Sequence, residues 1–337
     1  MTQNGLTCWS WFLLMMFTIV YPSIAFSMDS SGLEPDHIVA KDGSGGFTSI
    51  QSAVDASKAF PDERVVIFIK NGVYKEKVRV HSWNTRMTFI GESTEGTVLI
   101  YDDYFDKIDR GRNSTFHTYT LLLQGNDFIA KNLTIQNSAG PVGQAVALHV
   151  EADRSIFHNC RILGDQDTIY AAGEGSRQFF KDCYVEGTTD FLFGEATAVF
   201  ENCILHSKSN SYITAASTPA GIEFGFVIMN SILTADPGLD QVYLGRPWRD
   251  FAKTVFLHTE MGSHIIPTGW HNWNRPEAEE TTYYAEFHNS GPGFKPDQRA
   301  AWSKQLTKEE AENYKIESIF RDWDPFEYID STSNTID

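Results

Sequence analysis

The sequence predicts an all-β protein wound as a parallel β-helix, a solenoid of short strands. Two observations carry this. Six β-rich segments repeat one register: 128–137, 156–164, 179–187, 199–207, 227–235 and 255–263. Their aligned positions Leu133, Cys160, Cys183, Cys203, Ser231 and Thr259 are separated by 27, 23, 20, 28 and 28 residues. Repeats of about 20 to 50 residues signal solenoids. Second, long helical patterns are nearly absent between them, which argues against βαβ units. In each segment apolar residues flank a polar pair, and one short strand per turn with variable loops fits the spacing. A sandwich would not keep Asn or Asp before a small residue in one register.

The elements follow in chain order. Residues Met1 to Ser27 carry no charged side chain, and an apolar stretch runs from Trp9 to Val20. That is too short for a bilayer span of roughly 20 residues. Small residues at Ser23 and Ala25, and at Ala25 and Ser27, suit a secretory signal cleaved after Ala25 or Ser27. The lack of Lys or Arg before the apolar stretch departs from the usual signal, and an uncleaved anchor is the alternative. Residues 28–337 are then expected to form one domain, since Met28 to Asp36 is too short for another. Export would leave Cys160, Cys183 and Cys203 in an oxidising compartment. The turn Asp42-Gly43-Ser44-Gly45-Gly46 lacks the spacing and the Lys of a phosphate loop. Thr48 and Gln51 suggest a capping box opening a helix from Ile50 to Lys58, which is expected to plug the open end of the coil. Thr307 and Glu310 open a second helix, expected along the side.

Composition narrows the function. The 337 residues are 42% hydrophobic and 21% charged, so the chain is neither disordered nor a membrane bundle. Lys and Arg number 27 against 44 Asp and Glu, a net charge of −17. Nucleic-acid binding and a polybasic membrane patch both need a basic face this chain is poorly placed to supply. Asn113-Ser-Thr115 and Asn132-Leu-Thr134 match the glycosylation acceptor.

The repeat places two carboxylates together. Asp167 lies seven residues after Cys160, and Asp190 seven after Cys183. Equivalent positions on adjacent coils stack about 4.8 Å apart. Two such carboxyls cannot both ionise cheaply, so one pKa rises and the other stays low, giving an acid beside a nucleophile or base. By the same register Cys160, Cys183 and Cys203 share a ladder. Spacing alone allows Cys183 to bridge to either neighbour.

Several motifs are familiar. Val185-Glu-Gly-Thr-Thr-Asp190-Phe-Leu-Phe-Gly194, Gly164-Asp-Gln-Asp167-Thr-Ile-Tyr170 and Leu244-Gly-Arg246-Pro-Trp248 resemble the pectin methylesterases, the pectinesterase family of carbohydrate esterases. Blocks from Phe68 to Val78, from Asn137 to Leu148, Gly269 to Trp273 and Tyr283 to Gly293 extend the resemblance over roughly Ile38 to Phe294. It implies a right-handed parallel β-helix, methylated pectin as the partner, a secreted and monomeric enzyme, and no metal or other cofactor. Residues 206–219 and 269–273 look more like microbial members than plant ones.

The resemblance also implies roles. Asp190 would attack the ester of a methylated galacturonate. Asp167 would protonate the departing methanol and later take a proton from water. Gln144 and Gln166 would donate to the oxyanion, and Arg246 would hold Asp190 ionised. The residue types suit these roles. Two carboxyl groups divide ester hydrolysis into two easier steps, amides stabilise charge without moving protons, and a guanidinium binds a carboxylate in a fixed plane. Phe116, Tyr170, Phe191, Phe193, Trp248 and Trp273 are expected to form an aromatic groove for the polymer, Trp248 foremost. The family pattern pairs Cys183 with Cys203 in a disulfide. Departures from that pattern are Thr189, Leu192, Glu195, Asp165 and His149, of which Asp165 and Glu195 add negative charge near the site. A β-helical lyase or polygalacturonase would need groups missing here. A non-catalytic pectin-binding protein is the alternative from another class, and it does not explain five intact catalytic positions.

Overall fold

The computed structural model describes Met1 and residues 34–330, so the expected signal segment lies outside the described residues. Three parallel sheets of 11, 8 and 7 strands run the length of the coil. Neighbouring strands in each sheet come from successive turns of chain, and every pairing is parallel. One turn reads Arg177–Lys181, Tyr184–Gly187, Leu192–Gly194, and the next begins at Thr197–Glu201. The expected β-helix is therefore present, with one correction. Each repeated segment holds two strands rather than one, and its polar pair is the corner between them.

The corner explains the residue choice. Asn132, Asn159, Asp182, Asn202, Asn230 and His258 have φ between +48° and +55°. This left-handed conformation is disfavoured for most side chains, and Asn and Asp tolerate it best. Each of these N–H groups donates to a carbonyl of the next coil, as Asn159 does to Lys181 at 3.0 Å. Asn132 Oδ1 also accepts from Asn159 Nδ2, while Asn113, the other Asn-x-Thr acceptor, is exposed.

Inside, equivalent side chains stack in ladders. Phe157, Phe180 and Phe200 are fully buried, with ring centroids 4.6 and 4.5 Å apart and nearly parallel planes. Leu133, Cys160, Cys183, Cys203, Ser231 and Thr259 form a neighbouring ladder, all buried, so the alignment read from sequence is the spatial one. The expected Cys183–Cys203 disulfide is not formed, and Cys160, Cys183 and Cys203 are free thiols. Each sulfur sits against a carbonyl of the preceding coil instead, Cys183 Sγ at 3.3 Å from Phe157 O and Cys203 Sγ at 3.4 Å from Phe180 O.

The first helix plugs the N-terminal end and the C-terminal helices lie along the side, as expected, with one change of cap. The helix Ile50–Ala56 buries Ile50, Ala53 and Val54 against the core. Its cap is Ser49, which accepts from the Ser52 N–H, rather than Thr48. Glu76 supplies the remaining acceptors, taking the Ile50 and Gln51 N–H groups at 2.9 and 3.0 Å. Gln51 is thereby released to bond Asp55 and Arg79. At the other end Thr307 and Glu310 form the full capping box of the helix Lys308–Ala311. The following helix Ile316–Phe320 lays Ile319 and Phe320 on the outer face of the 11-stranded sheet, over Phe179 and Val199.

Candidate active site

The site stands on the outer face of the 7-stranded sheet. Gln144 and Gln166 pair as a parallel bridge on successive coils. One residue further, Asp167 and Asp190 share a register position, fixed by the pairing of Ile169 with Leu192. Both aspartates take positive φ, +65° and +50°. Their N–H groups donate to the next coil, Asp167 to Thr189 O and Asp190 to Tyr212 O at 3.0 and 2.8 Å. A turn conformation that Asp tolerates thus seats both carboxyls at the start of their strands.

Two glycines make room. A Cβ on Gly187 would lie 2.2 Å from Phe191 Cβ and 2.7 Å from Asp165 O. A Cβ on Gly245 would lie 2.1 Å from Thr214 Oγ1. Arg246 follows Gly245, and its N–H is fixed to Thr214 O at 2.9 Å.

The two carboxyls differ in partners. Arg246 Nε donates to Asp190 Oδ1 at 2.9 Å and Nη2 to Oδ2 at 2.6 Å, a two-pronged ion pair. Burial pushes Asp190 above its usual range, and Arg246 opposes that shift. Asp167 is pushed well above the carboxylate range by burial, then by the charge of Asp190, with Arg246 opposing. Both shifts point upward, but only Asp190 has a cation hydrogen-bonded to it, so Asp190 is the better stabilised carboxylate and Asp167 the more acid-like group.

Arg246 is itself clamped. Its guanidinium carbon lies 3.7 Å from the Trp273 ring centroid and 3.9 Å from that of Tyr212. A guanidinium stacks readily on aromatic faces. Tyr212 was not anticipated, because a tyrosine at the start of a strand looks like any other β-former. In the structure Tyr212 pairs with Tyr243, two residues before Gly245, which brings it beside Arg246.

The aromatic groove is present with one exception. Phe116, Phe193, Trp248 and Trp273 line a cavity of about 420 Å³ together with Gln144, Gln166, Asp167, Asp190 and Arg246. Tyr170 stacks on Phe193 at 4.7 Å and meets Phe116 at 5.1 Å, extending the surface beyond the cavity. Phe191 does not belong to it. Its ring is fully buried in the main core together with Leu192, and only the next residue, Phe193, faces the groove. Arg112, Thr115 and Phe105 also line the cavity and were not anticipated. Asn137 holds this wall, its Nδ2 donating to Asp103 O and Val146 O at 2.8 and 3.0 Å.

The departures sort themselves by partner. Lys208 lies 3.0 Å from Asp165 and neutralises it. The Thr189 hydroxyl pairs with Ser211 Oγ at 2.8 Å. Glu195 has no such cation among the described residues and accepts from the Gly173 N–H and the Tyr170 hydroxyl.

The sequence model of the Pectinesterase family matches residues 36–322. The chain belongs to the pectinesterase family. It is 39% identical to Pectinesterase 31 of Arabidopsis thaliana over 82% of this chain and 89% of that protein. It is 40% identical to Probable pectinesterase/pectinesterase inhibitor 58 of the same plant, but spans about half (51%) of that relative's length. Among solved structures, the fold matches pectin methylesterase from carrot with a TM-score of 0.82 and 32% identity, over 90% of this chain and 98% of that one. It matches pectin methylesterase from Erwinia chrysanthemi with a TM-score of 0.76 and 30% identity, over 87% and 99%. The plant relatives give no support to the microbial leaning of residues 206–219 and 269–273.

Proposed function

We propose that this pectinesterase hydrolyses galacturonate methyl esters in pectin through an acyl-enzyme on Asp190. The observation that carries the reading is the asymmetry of the stacked pair: Asp190 is held by Arg246 while Asp167 is buried with no hydrogen-bonded cation among the described residues. The ionised Asp190 attacks the ester carbonyl, and the oxyanion that forms faces the amides of Gln144 and Gln166. Asp167 gives its proton to the methoxide as the C–O bond breaks, so neutral methanol leaves. The resulting Asp167 carboxylate takes a proton from water, whose oxygen attacks the acyl-enzyme. Asp190 then departs as a carboxylate, again held by Arg246. The amide donors are positioned before charge develops, which is where such groups contribute most.

The likeness to a pectin methylesterase crystallised in complex with a hexasaccharide supports a polymer seated over Phe193, Trp248 and Trp273. No helix among the described residues is long and apolar enough to cross a membrane. We take the protein to be exported through the segment before residue 28 and to act on pectin as a monomer of one domain. Methanol release from methylated pectin tests the function directly. Binding without methanol release would favour the non-catalytic alternative.

A further inference from the structure

Lys208 touches both coils that carry the two aspartates, although it is not among the residues lining the catalytic cavity. It follows the strand Ile204–Ser207, one coil beyond Asp190. Its backbone N–H donates to Gly187 O at 2.8 Å. Its side chain then passes that coil and reaches the one before, where Nζ donates to Gly164 O at 2.8 Å and meets Asp165 Oδ1 at 3.0 Å. Glu186 Oε1 lies 3.5 Å from the same nitrogen. An ammonium group has three donors and no acceptor, and here three oxygens surround it.

The anchors stand at matching places. Gly164 lies three residues before Asp167, and Gly187 three residues before Asp190. Each glycine begins the turn that seats an aspartate, outside or at the very end of its strand. The two turns are bonded to one another, Thr188 N–H to Asp165 O at 2.9 Å and Asp167 N–H to Thr189 O at 3.0 Å. Backbone pairing in the coil joins each turn only to its direct neighbours. The Lys208 side chain spans one coil more, and so ties the turn of Asp167 and the turn of Asp190 to a third point.

Resting on the esterase reading, we propose that Lys208 is a positioning residue: by fastening Gly164 and Gly187 it sets where Asp167 stands relative to Asp190. The acid must reach the methoxy oxygen of the same ester carbon that Asp190 attacks. A displacement of about 1 Å between such groups can cost on the order of 10²-fold in rate. Neutralising Asp165 is a separate task of the same ammonium. The anchors at Gly164 O and Gly187 O need no charge on Asp165.

Three variants separate the two tasks: Lys208→Met, Asp165→Asn, and both together. Lys208→Met leaves the buried Asp165 unpaired, so it lowers Tm as well as activity. The double variant removes that stray charge and recovers Tm. Its kcat for methanol release stays about 10- to 100-fold low with KM nearly unchanged, because the fastening is still missing. Asp165→Asn alone keeps kcat near the unmutated value, since Lys208 retains both glycine anchors. Hydrogen exchange follows the same division: the amides of Asp167, Thr188 and Asp190 exchange faster in the double variant and not in Asp165→Asn. A double variant that recovers kcat along with Tm, or an Asp165→Asn protein as impaired as the double variant, overturns the proposal. If the unmutated protein releases no methanol, the esterase reading fails instead. Exchange alone then decides the fastening, and equal rates at those three amides in the double variant and the unmutated protein refute it.

Discussion

Asp167 and Asp190 hold the same register position on successive coils, and Arg246 reaches its two hydrogen bonds to Asp190. Two identical side chains in near-identical backbone settings are thus made chemically different by one cation. That difference, and the residues that support it, can be measured.

Asp190→Asn abolishes methanol release while leaving the fold intact, because the amide is nearly isosteric but cannot attack an ester. Asp167→Asn lowers kcat by about 10²–10⁴-fold, the usual contribution of a general acid. Steady-state kinetics check both. A loss under about tenfold in Asp167→Asn would assign the proton transfer to another group.

The same Asp167→Asn change should raise stability at neutral pH. The folded-state pKa of Asp167 is raised above its unfolded value. Its favourable protonation is fully present below the unfolded pKa of about 3.9 and is lost as pH rises through the folded value. At neutral pH the buried acid therefore opposes folding, and the neutral amide removes that penalty. Thermal melts at pH 7 should show a higher Tm for the variant, and at about pH 3 the two proteins should converge. A lower Tm at pH 7 would contradict the burial of an isolated acid.

The pH profile of kcat/KM should be bell-shaped. Its acid limb reports ionisation of Asp190, which burial places above the ordinary carboxylate range. Its alkaline limb reports loss of the Asp167 proton, at still higher pH. Arg246→Lys keeps a charge but loses the two-pronged geometry, so the acid limb should move to higher pH. A profile flat over roughly pH 4 to 9 would remove both assignments.

The ring residues separate by where they sit. Tyr212→Leu frees one face of Arg246 and should cost about 0.5–2 kcal/mol of catalytic stabilisation, seen in kcat. Trp248→Ala should raise KM with little change in Tm. Phe191→Ala empties the core and should destabilise by about 3–5 kcal/mol, read as a lower denaturation midpoint. A Phe191→Ala protein of normal stability with raised KM would return that ring to the groove.

How much was legible follows from periodicity. The spacing of Leu133, Cys160, Cys183 and Cys203 and the seven-residue offset to Asp167 and Asp190 predicted the coil, its ladders and the stacked acids. Parallel pairing turns equal offsets in sequence into neighbours in space. The Asn and Asp residues of the repeats were visible, but their job as corners was not, because a positive φ is not written in the residue type.

The sequence by itself determined the solenoid, the pairing of Asp167 with Asp190, and the capping box at Thr307. Each depends on contacts at short or regular separation along the chain. Only the tertiary structure decided that Tyr212 and Trp273 clamp Arg246, that Phe191 faces inward, that Lys208 neutralises Asp165, and that Arg112 is left without a partner among the described residues. Those relations join loops of irregular length, whose course is set by packing against other coils rather than by local pattern.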